Sequence, residues 1–552
     1  MNPYNTLNLY AAGDMMVSAT EWLRSAVIYQ IFPPSFQDSN GDGIGDLQGV
    51  IHRLGYIQRL GATVLWLNPC FDSPFGDAGY DVRDFYKVSP RYGTEADLCQ
   101  LFEQAHRQGM KVLLDLVAGH TSMEHPWFKA EVADPKNPDS NRYIWLNRDF
   151  DPEEGPAKGD FCANFFWYQP ALNYGWETPV EAWQDPVDAP GPQRNREELR
   201  RIMAYWFDRG CDGFRVDMAA SLVKGGDQRG NRATVELWQE VRKWLDAHYP
   251  DRALIAEWSL PEVSIPAGFH LDFMMHFNAP GYPSLFFNGT GTLPPKEGPC
   301  YFDADGKGSL TLFRGEYQRQ LEKTAGRGYI CLPTANHDFQ RLRCGPRGWE
   351  GLRPAWVFFM TQAGVPLIYY GEEIGMRFVP DTPSKEGSTL QGITAPNAGA
   401  PEGERAGTRT PMQWDDSFNA GFSSAPEEML YLPLDPYPDR PAVAAQEEDT
   451  GSLLNFVRSL VALRNAHPAL GAAGKITFLN PEGQSYPLVY ERARDGSRYL
   501  IAVNPTRSLQ QLNLYFSGAD GQALLADGCE LQYANGMLTV TVKPFGYGVF
   551  KV

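Results

Sequence analysis

The stretch Cys211-Asp212-Gly213-Phe214-Arg215-Val216-Asp217 decides the fold. Phe214 and Val216 are apolar and favour extended backbone, so it reads as a short buried strand whose start Gly213 limits. Arg215 and Asp217 are two apart, and on a strand such residues point to the same face. Burying charge there is costly unless the charges are paired or put to use. Alone, such a pair is more often a structural ion pair. Three further stretches shift the balance: Asp115-Leu-Val-Ala-Gly-His120, Ile255-Ala-Glu257-Trp258 and Ala335-Asn-His337-Asp338. Each ends an apolar run in acidic or imidazole groups. Four strands that finish in charge describe one site at one rim of a barrel.

Outward from this site, apolar runs alternate with helical periods. Strands are expected at 27–36, 63–71, 111–117, 211–217, 253–258, 271–277, 328–335 and 366–370. Helices are expected near 47–60, 94–108, 195–209, 231–247, 311–325, 348–363 and 452–466, with Thr94 as a cap and Gly109 as a stop. Eight strands with helices between them give an α/β fold, a (β/α)8 TIM barrel. Residues 121–192 break the alternation; so long a structureless loop is improbable, which implies an inserted subdomain after strand three. The expected division is barrel over 1–120, insertion over 121–192, barrel again over 193–472, and a C-terminal antiparallel β domain over 473–552. A second Pro/Gly/acid-rich excursion occupies 376–450, and residues 1–21 read as an extension with little structure.

Composition excludes some partners. At 552 residues the chain is too long for one core. A net charge of −18 argues against nucleic acid, whose binding needs basic patches. Aromatics make up 13 % of the chain, and flat sugar faces stack on such rings. The eight cysteines show no C-x-x-C spacing and read as reduced thiols of a cytoplasmic protein. No apolar stretch approaches membrane-spanning length, and the N-terminus has no secretory pattern.

The four stretches, in this order on strands three, four, five and seven, resemble the α-amylase family of glycoside hydrolases. Gly364-Val-Pro-Leu-Ile-Tyr-Tyr-Gly-Glu-Glu-Ile-Gly375 and Arg409-Thr-Pro-Met-Gln-Trp-Asp415 are similar to the branch holding oligo-1,6-glucosidases, α-glucosidases and trehalose synthases. Cleaving a glycosidic bond needs two carboxyl groups flanking it. Asp217 and Glu257 end adjacent strands, roughly 4.8 Å apart, which suits the closer spacing of retaining enzymes. The resemblance implies Asp217 as nucleophile, Glu257 as general acid/base and Asp338 as the third carboxylate, gripping sugar hydroxyls. It implies Arg215 as the group keeping the nucleophile ionised, and His120 and His337 as hydroxyl donors. Tyr80 becomes the platform under the reacting sugar, and Asp77 and Arg409 a salt-bridged pair closing the back of the pocket.

The loop from Asp38 to Asp46 sets oxygen donors at Asp38, Asn40, Asp42 and Asp46, with the Ile44 carbonyl between them and Gly43 at the turn. This is calcium-loop spacing, and the resemblance places a structural metal there, calcium or else magnesium. Two residues depart from the family pattern: Gly119 stands where Asn is usual, and Met218 where a smaller residue is usual. Both bear on which substrate is used. The expected function is a retaining, exo-acting α-glucosidase on short oligosaccharides or disaccharides. The alternatives are a transglucosidase or isomerase with the same residues, and a non-catalytic relative, which the three carboxylates disfavour.

Overall fold

The computed structural model describes residues 21–134, 136–137, 140–149, 158–225, 231–274, 280–286, 299–388, 405–517 and 521–552. The reading of the first 20 residues lies outside these, as does the 389–404 part of the second excursion. Eight parallel strands close a barrel in sequence order: β1 (Ile28–Ile31), β2 (Val64–Leu67), β3 (Lys111–Val117), β4 (Gly213–Asp217), β5 (Ala253–Ala256), β6 (Leu271–Phe273), β7 (Tyr329–Pro333) and β8 (Val365–Tyr369). All residues of β1, β2, β4, β5 and β8 are buried, as expected of strands covered by helices outside and packed side chains inside. Gly213 is needed for space: a Cβ there would lie 2.5 Å from the Ala253 carbonyl oxygen of the next strand.

Strand ends are shorter than the apolar runs. After Ile31 the chain turns into a 3-10 segment, Pro33–Ser35, because the two prolines have no N–H for a ladder. β2 stops at Leu67, before Pro69. The helix expected at 348–363 is a 3-10 turn, Trp349–Gly351, followed by Leu352–Thr361. The helix expected from 195 starts at Pro190, where proline costs no hydrogen bond in the first turn. Helix Leu47–Leu60 is capped by the Asp46 carboxylate and stopped by Gly61 at φ 90°. Helix Glu95–Arg107 opens with a reciprocal Thr94–Asp97 capping box.

Between β3 and helix Pro190–Phe207 lie a short helix, Pro126–Ala133, and a strand pair, Trp145–Asp149 with Lys158–Phe161. The C-terminal sheet is antiparallel. Two buried arginines lie at its junction with the barrel, and Arg492 bonds across it. Arg464, at the end of helix Leu453–Ala466, donates to the carbonyls of Met360, Gln362, Gly364 and Leu470. Arg492, in strand Leu488–Arg494, donates to those of Thr361, Leu470, Gly471 and Gly474.

At the opposite end of the barrel from the charged rim, the Asp212 carboxylate is fully buried. It takes His106 Nε2 at 2.6 Å, Lys111 Nζ at 2.9 Å, Arg252 Nη1 at 3.2 Å and the Val112 N–H at 3.0 Å. Burial opposes its charge, but these donors outweigh it and lower its pKa. Asp212→Ala takes the counter-charge from Lys111 and leaves Arg252 only the exposed Asp251, and is expected to cost about 3 kcal/mol in denaturant unfolding. A depressed carboxylate contributes stability above its unfolded pKa that is lost as pH falls through the folded one. The gap between wild type and variant should therefore close in acid; a gap independent of pH would show that packing, not charge, is what the substitution removes.

Candidate functional site

Register assembles the site. Asp115 of β3 lies beside Arg215 of β4, and Val117 beside Asp217. Val216 pairs with Ala256 of β5, one residue before Glu257. Arg215 is 1 % exposed and serves three carboxylates at once. Its Nη1 lies 2.7 Å from Asp115 Oδ1 and 2.9 Å from Asp217 Oδ1, and its Nη2 lies 2.6 Å from Glu257 Oε1. A guanidinium stays protonated in proteins and offers its donors in a fixed plane, so it sets both charge and position for all three. The second Glu257 oxygen accepts the Met218 N–H at 2.8 Å. Met218 is held left-handed (φ 44°, ψ 41°), a strained conformation for a long side chain, and its half-buried thioether sits 3.6 Å from Asn164 Nδ2.

Burial pushes Asp217 up to about 6, with Asp115 adding and Arg215 opposing. It pushes Glu257 up to about 8, with Asp217 and Asp338 adding and Arg215 and the Met218 N–H opposing. Asp338 goes the other way. Burial would raise it, but His337, Arg405 and Arg409 hold it well below the ordinary carboxylate range. Neighbouring carboxyl groups with divergent pKa values can divide acid and base work between them.

His337 is neutral, burial driving its pKa well down. Its Nδ1 faces the amide donors of Gln30 (3.0 Å) and Asn68 (3.2 Å), so the proton belongs on Nε2. Nε2 lies 2.8 Å from Tyr80 Oη and 3.2 Å from Asp338 Oδ2. The Tyr80 and His337 rings stack with centroids 5.4 Å apart. His120 is buried at the end of β3, its Nδ1 3.1 Å from Asn164 Nδ2.

One expected pairing is replaced. Asp77 pairs with Arg405, Oδ1 to Nη2 at 3.2 Å, while its other oxygen accepts from Gln169 at 2.8 Å. Arg409, expected as its partner, instead donates to the His337 carbonyl at 2.8 Å and to Asp338 at 3.3 Å, with its guanidinium over the Phe32 ring. Arg405 also reaches Asp338 and so ties Asp77 to it. Nothing local in the sequence distinguishes Arg405 from Arg409: both stand in an irregular loop, four residues apart, with no period to orient them. Asn164 and Gln169 are further groups of the site that sequence reasoning passed over, and Asp115, which opens one of the four charged stretches, was given no role of its own. Asp115 had a signal, since it alternates with Val117 on the strand neighbouring Arg215.

The loop Asp38 to Asp46 folds around its own acceptors. Asp38 takes the N–H groups of Asn40, Gly41 and Gly43 and the Ser423 hydroxyl. Asn40 takes that of Asp42, and Asp42 that of Ile44. Asp46 takes those of Ser39 and Gly49. Among the described residues no three His, Cys, Asp or Glu side chains form a metal-holding group by themselves, so a cation in this loop would depend also on the Asn40 amide oxygen and the Ile44 carbonyl. The eight cysteines are all free thiols. No helix among the described residues is long and apolar enough to cross a membrane.

The two loop arginines can be told apart by stability alone. A double-mutant cycle of Asp77→Ala with Arg405→Ala should give a coupling of about 1–3 kcal/mol, as for buried groups in contact. The same cycle with Arg409→Ala should give clearly less. The reverse order, read from denaturant unfolding, would restore the Asp77–Arg409 pairing.

Comparison with known proteins agrees with this architecture. Residues 30–473 match the family described as alpha amylase, catalytic domain. Trehalose synthase of Thermus thermophilus is 31 % identical over 96 % of this chain, which spans just over half (55 %) of that protein. Trehalose synthase/amylase TreS of Mycobacterium tuberculosis is 32 % identical, over 88 % of this chain and 82 % of the relative. Oligo-1,6-glucosidase of Parageobacillus thermoglucosidasius is 28 % identical over 96 % and 99 %. Among solved structures, trehalulose synthase MutB of Pseudomonas mesoacidophila MX-45 superposes with a TM-score of 0.78 at 25 % identity, covering 96 % of this chain and 99 % of that one. With its closed barrel, charged rim and a family match across most of its length, the chain belongs to the α-amylase family.

Proposed function

We propose that this enzyme transfers the glucosyl group of short α-glucosides with retention of configuration, releasing it to water as an exo-acting α-glucosidase. The observation that carries the proposal is the Arg215 cluster, which binds Asp217 and Glu257 through different nitrogens of one guanidinium. Carboxyl groups so close suit a double displacement, for which they stand about 5–5.5 Å apart. Asp217 attacks the anomeric carbon as the Glu257 proton moves to the leaving oxygen. Glu257 then takes a proton from the incoming water, which attacks the glucosyl–Asp217 ester. Asp338, kept ionised, accepts hydroxyls of the same sugar; His337 Nε2–H and His120 donate to others, and Tyr80 lies beneath the ring. The Asp77–Arg405 bridge would close the back of the pocket, which favours attack at the non-reducing end.

A second reading replaces water by a sugar acceptor. It is favoured by the relatives: trehalose synthases stand at 31–32 % identity, and variants of MutB were solved with isomaltulose and with glucose. The same residues serve both reactions, and what differs is the acceptor admitted beside Met218.

Product analysis over maltose, isomaltose, trehalose and sucrose with anomeric NMR decides between them. Free glucose appearing first as the α-anomer supports hydrolysis with retention, and isomeric disaccharides support transfer. Initial β-glucose, or more than a tenth of wild-type turnover in Asp217→Ala or Glu257→Gln, would remove Asp217 and Glu257 from these roles. Asp217 must be ionised and Glu257 protonated, so kcat/KM should rise through about 6 and fall through about 8. A profile flat from about pH 5 to pH 9 would contradict that division.

For the loop we propose a structural calcium, or else magnesium, held by Asp38, Asn40, Asp42, the Ile44 carbonyl and Asp46 and apart from the chemistry. A cation bound only by the folded loop stabilises it by mass action. A chelator should then lower the Tm of wild type but not of Asp42→Ala. An unchanged Tm in both would leave a turn closed by its own backbone bonds.

A further inference from the structure

Gly119 keeps an ordinary backbone conformation, so its lack of a side chain answers to space. A Cβ at this position would lie 2.9 Å from Asn164 Nδ2. The inserted segment thus pushes a side chain into the place that residue 119 leaves open. The Asn164 amide is oriented from both sides. Its Oδ1 accepts from Lys224 Nζ at 3.1 Å, and an ammonium can only donate. Lys224 is itself anchored to the Ser221 carbonyl at 2.6 Å. The Asn164 Nδ2 is then turned to His120 Nδ1 at 3.1 Å and to the Met218 thioether at 3.6 Å. A donor facing Nδ1 places the His120 proton on Nε2. That Nε2 is buried with no well-formed hydrogen bond among the described residues, although the Tyr80 backbone lies close enough to the ring to favour its protonated form.

We infer that Asn164 and Lys224 form a positioning relay: Lys224 fixes the Asn164 amide, and the amide holds His120 as the Nε2–H tautomer while resting on Met218. This deepens the reading of the site given above and rests on it only for the kinetic consequence. His120 would present one fixed donor to the bound sugar, and the residue that fixes it belongs to the inserted segment and also touches Met218, beside the leaving group. The relay therefore couples the two halves of the substrate site. A change at Asn164 should alter binding on both sides of the cleaved bond, unlike a change at Met218 alone.

The test combines spectroscopy with rescue. In protein labelled with 15N-histidine, His120, assigned by its loss in His120→Gln, should show the Nε2–H tautomer. Asn164→Asp keeps the shape and the Lys224 contact but offers Nδ1 only an acceptor, so the proton should move to Nδ1. This readout needs no turnover and stands apart from whether the enzyme hydrolyses or transfers. On the best disaccharide, Asn164→Ala should lower kcat/KM about 10- to 100-fold, the scale of a misplaced contact group. Gly119→Asn alone should also lose activity through the clash, whereas Gly119→Asn combined with Asn164→Ala should recover beyond either single change. An unchanged tautomer in Asn164→Asp, or a double variant no better than the worse single one, would overturn the relay.

Discussion

The carboxyl groups toward the ends of the neighbouring strands three to five depend on one buried guanidinium. Arg215 has no other way to be tolerated at 1 % exposure than by meeting acceptors, and it meets three carboxylates. They in turn could not be gathered so closely in a poorly hydrated space without it, since like charges repel strongly there. The balance is unequal: one cation to three potential anions. Burial settles the excess by protonation, raising Asp115, Asp217 and Glu257, Glu257 the furthest. A proton waiting on Glu257 is thus a consequence of charge arithmetic on three neighbouring strands.

Much of this was legible in the sequence. Apolar runs with caps and stops gave the barrel, because each strand and helix carries its pattern within a dozen residues. The rim carboxylates were legible because they end such runs: Asp217 and Glu257 are fixed by where a strand stops. What failed was contact between irregular segments. Asp77 and Arg405 are separated by 328 residues and both sit in loops, so no periodicity could choose Arg405 over Arg409. The strand ends at Pro33 and Pro69 erred for a smaller reason: apolar character continued after the capacity to donate hydrogen bonds had ended.

Asp338 shows how the loops complete what the strands begin. It stands after β7, and its charge state is set by the adjoining His337 together with Arg405 and Arg409 from the excursion after β8. The same excursion reaches Asp77, after β2. The strands therefore supply the pair proposed to break the bond, and the loops supply the groups proposed to hold the sugar. Substrate range can drift in such a design while the bond-breaking pair stays put, consistent with relatives named as glucosidases and as synthases on one scaffold.

The paired arginines at the far joint give the C-terminal sheet a different standing from that of an appended module. Arg464 and Arg492 spend their donors on carbonyls of the helix end and loop ahead of β8 and of the crossover into the sheet, with no carboxylate to anchor either charge among the described residues. Through Arg492 the sheet completes backbone hydrogen bonding of the barrel, and both arginines share the Leu470 carbonyl. The seam between them is thus a shared piece of interior. A foreign β domain grafted at this point would have to bring its own cation to the same carbonyls, so exchange of whole domains is a harder evolutionary path here than remodelling of the loops.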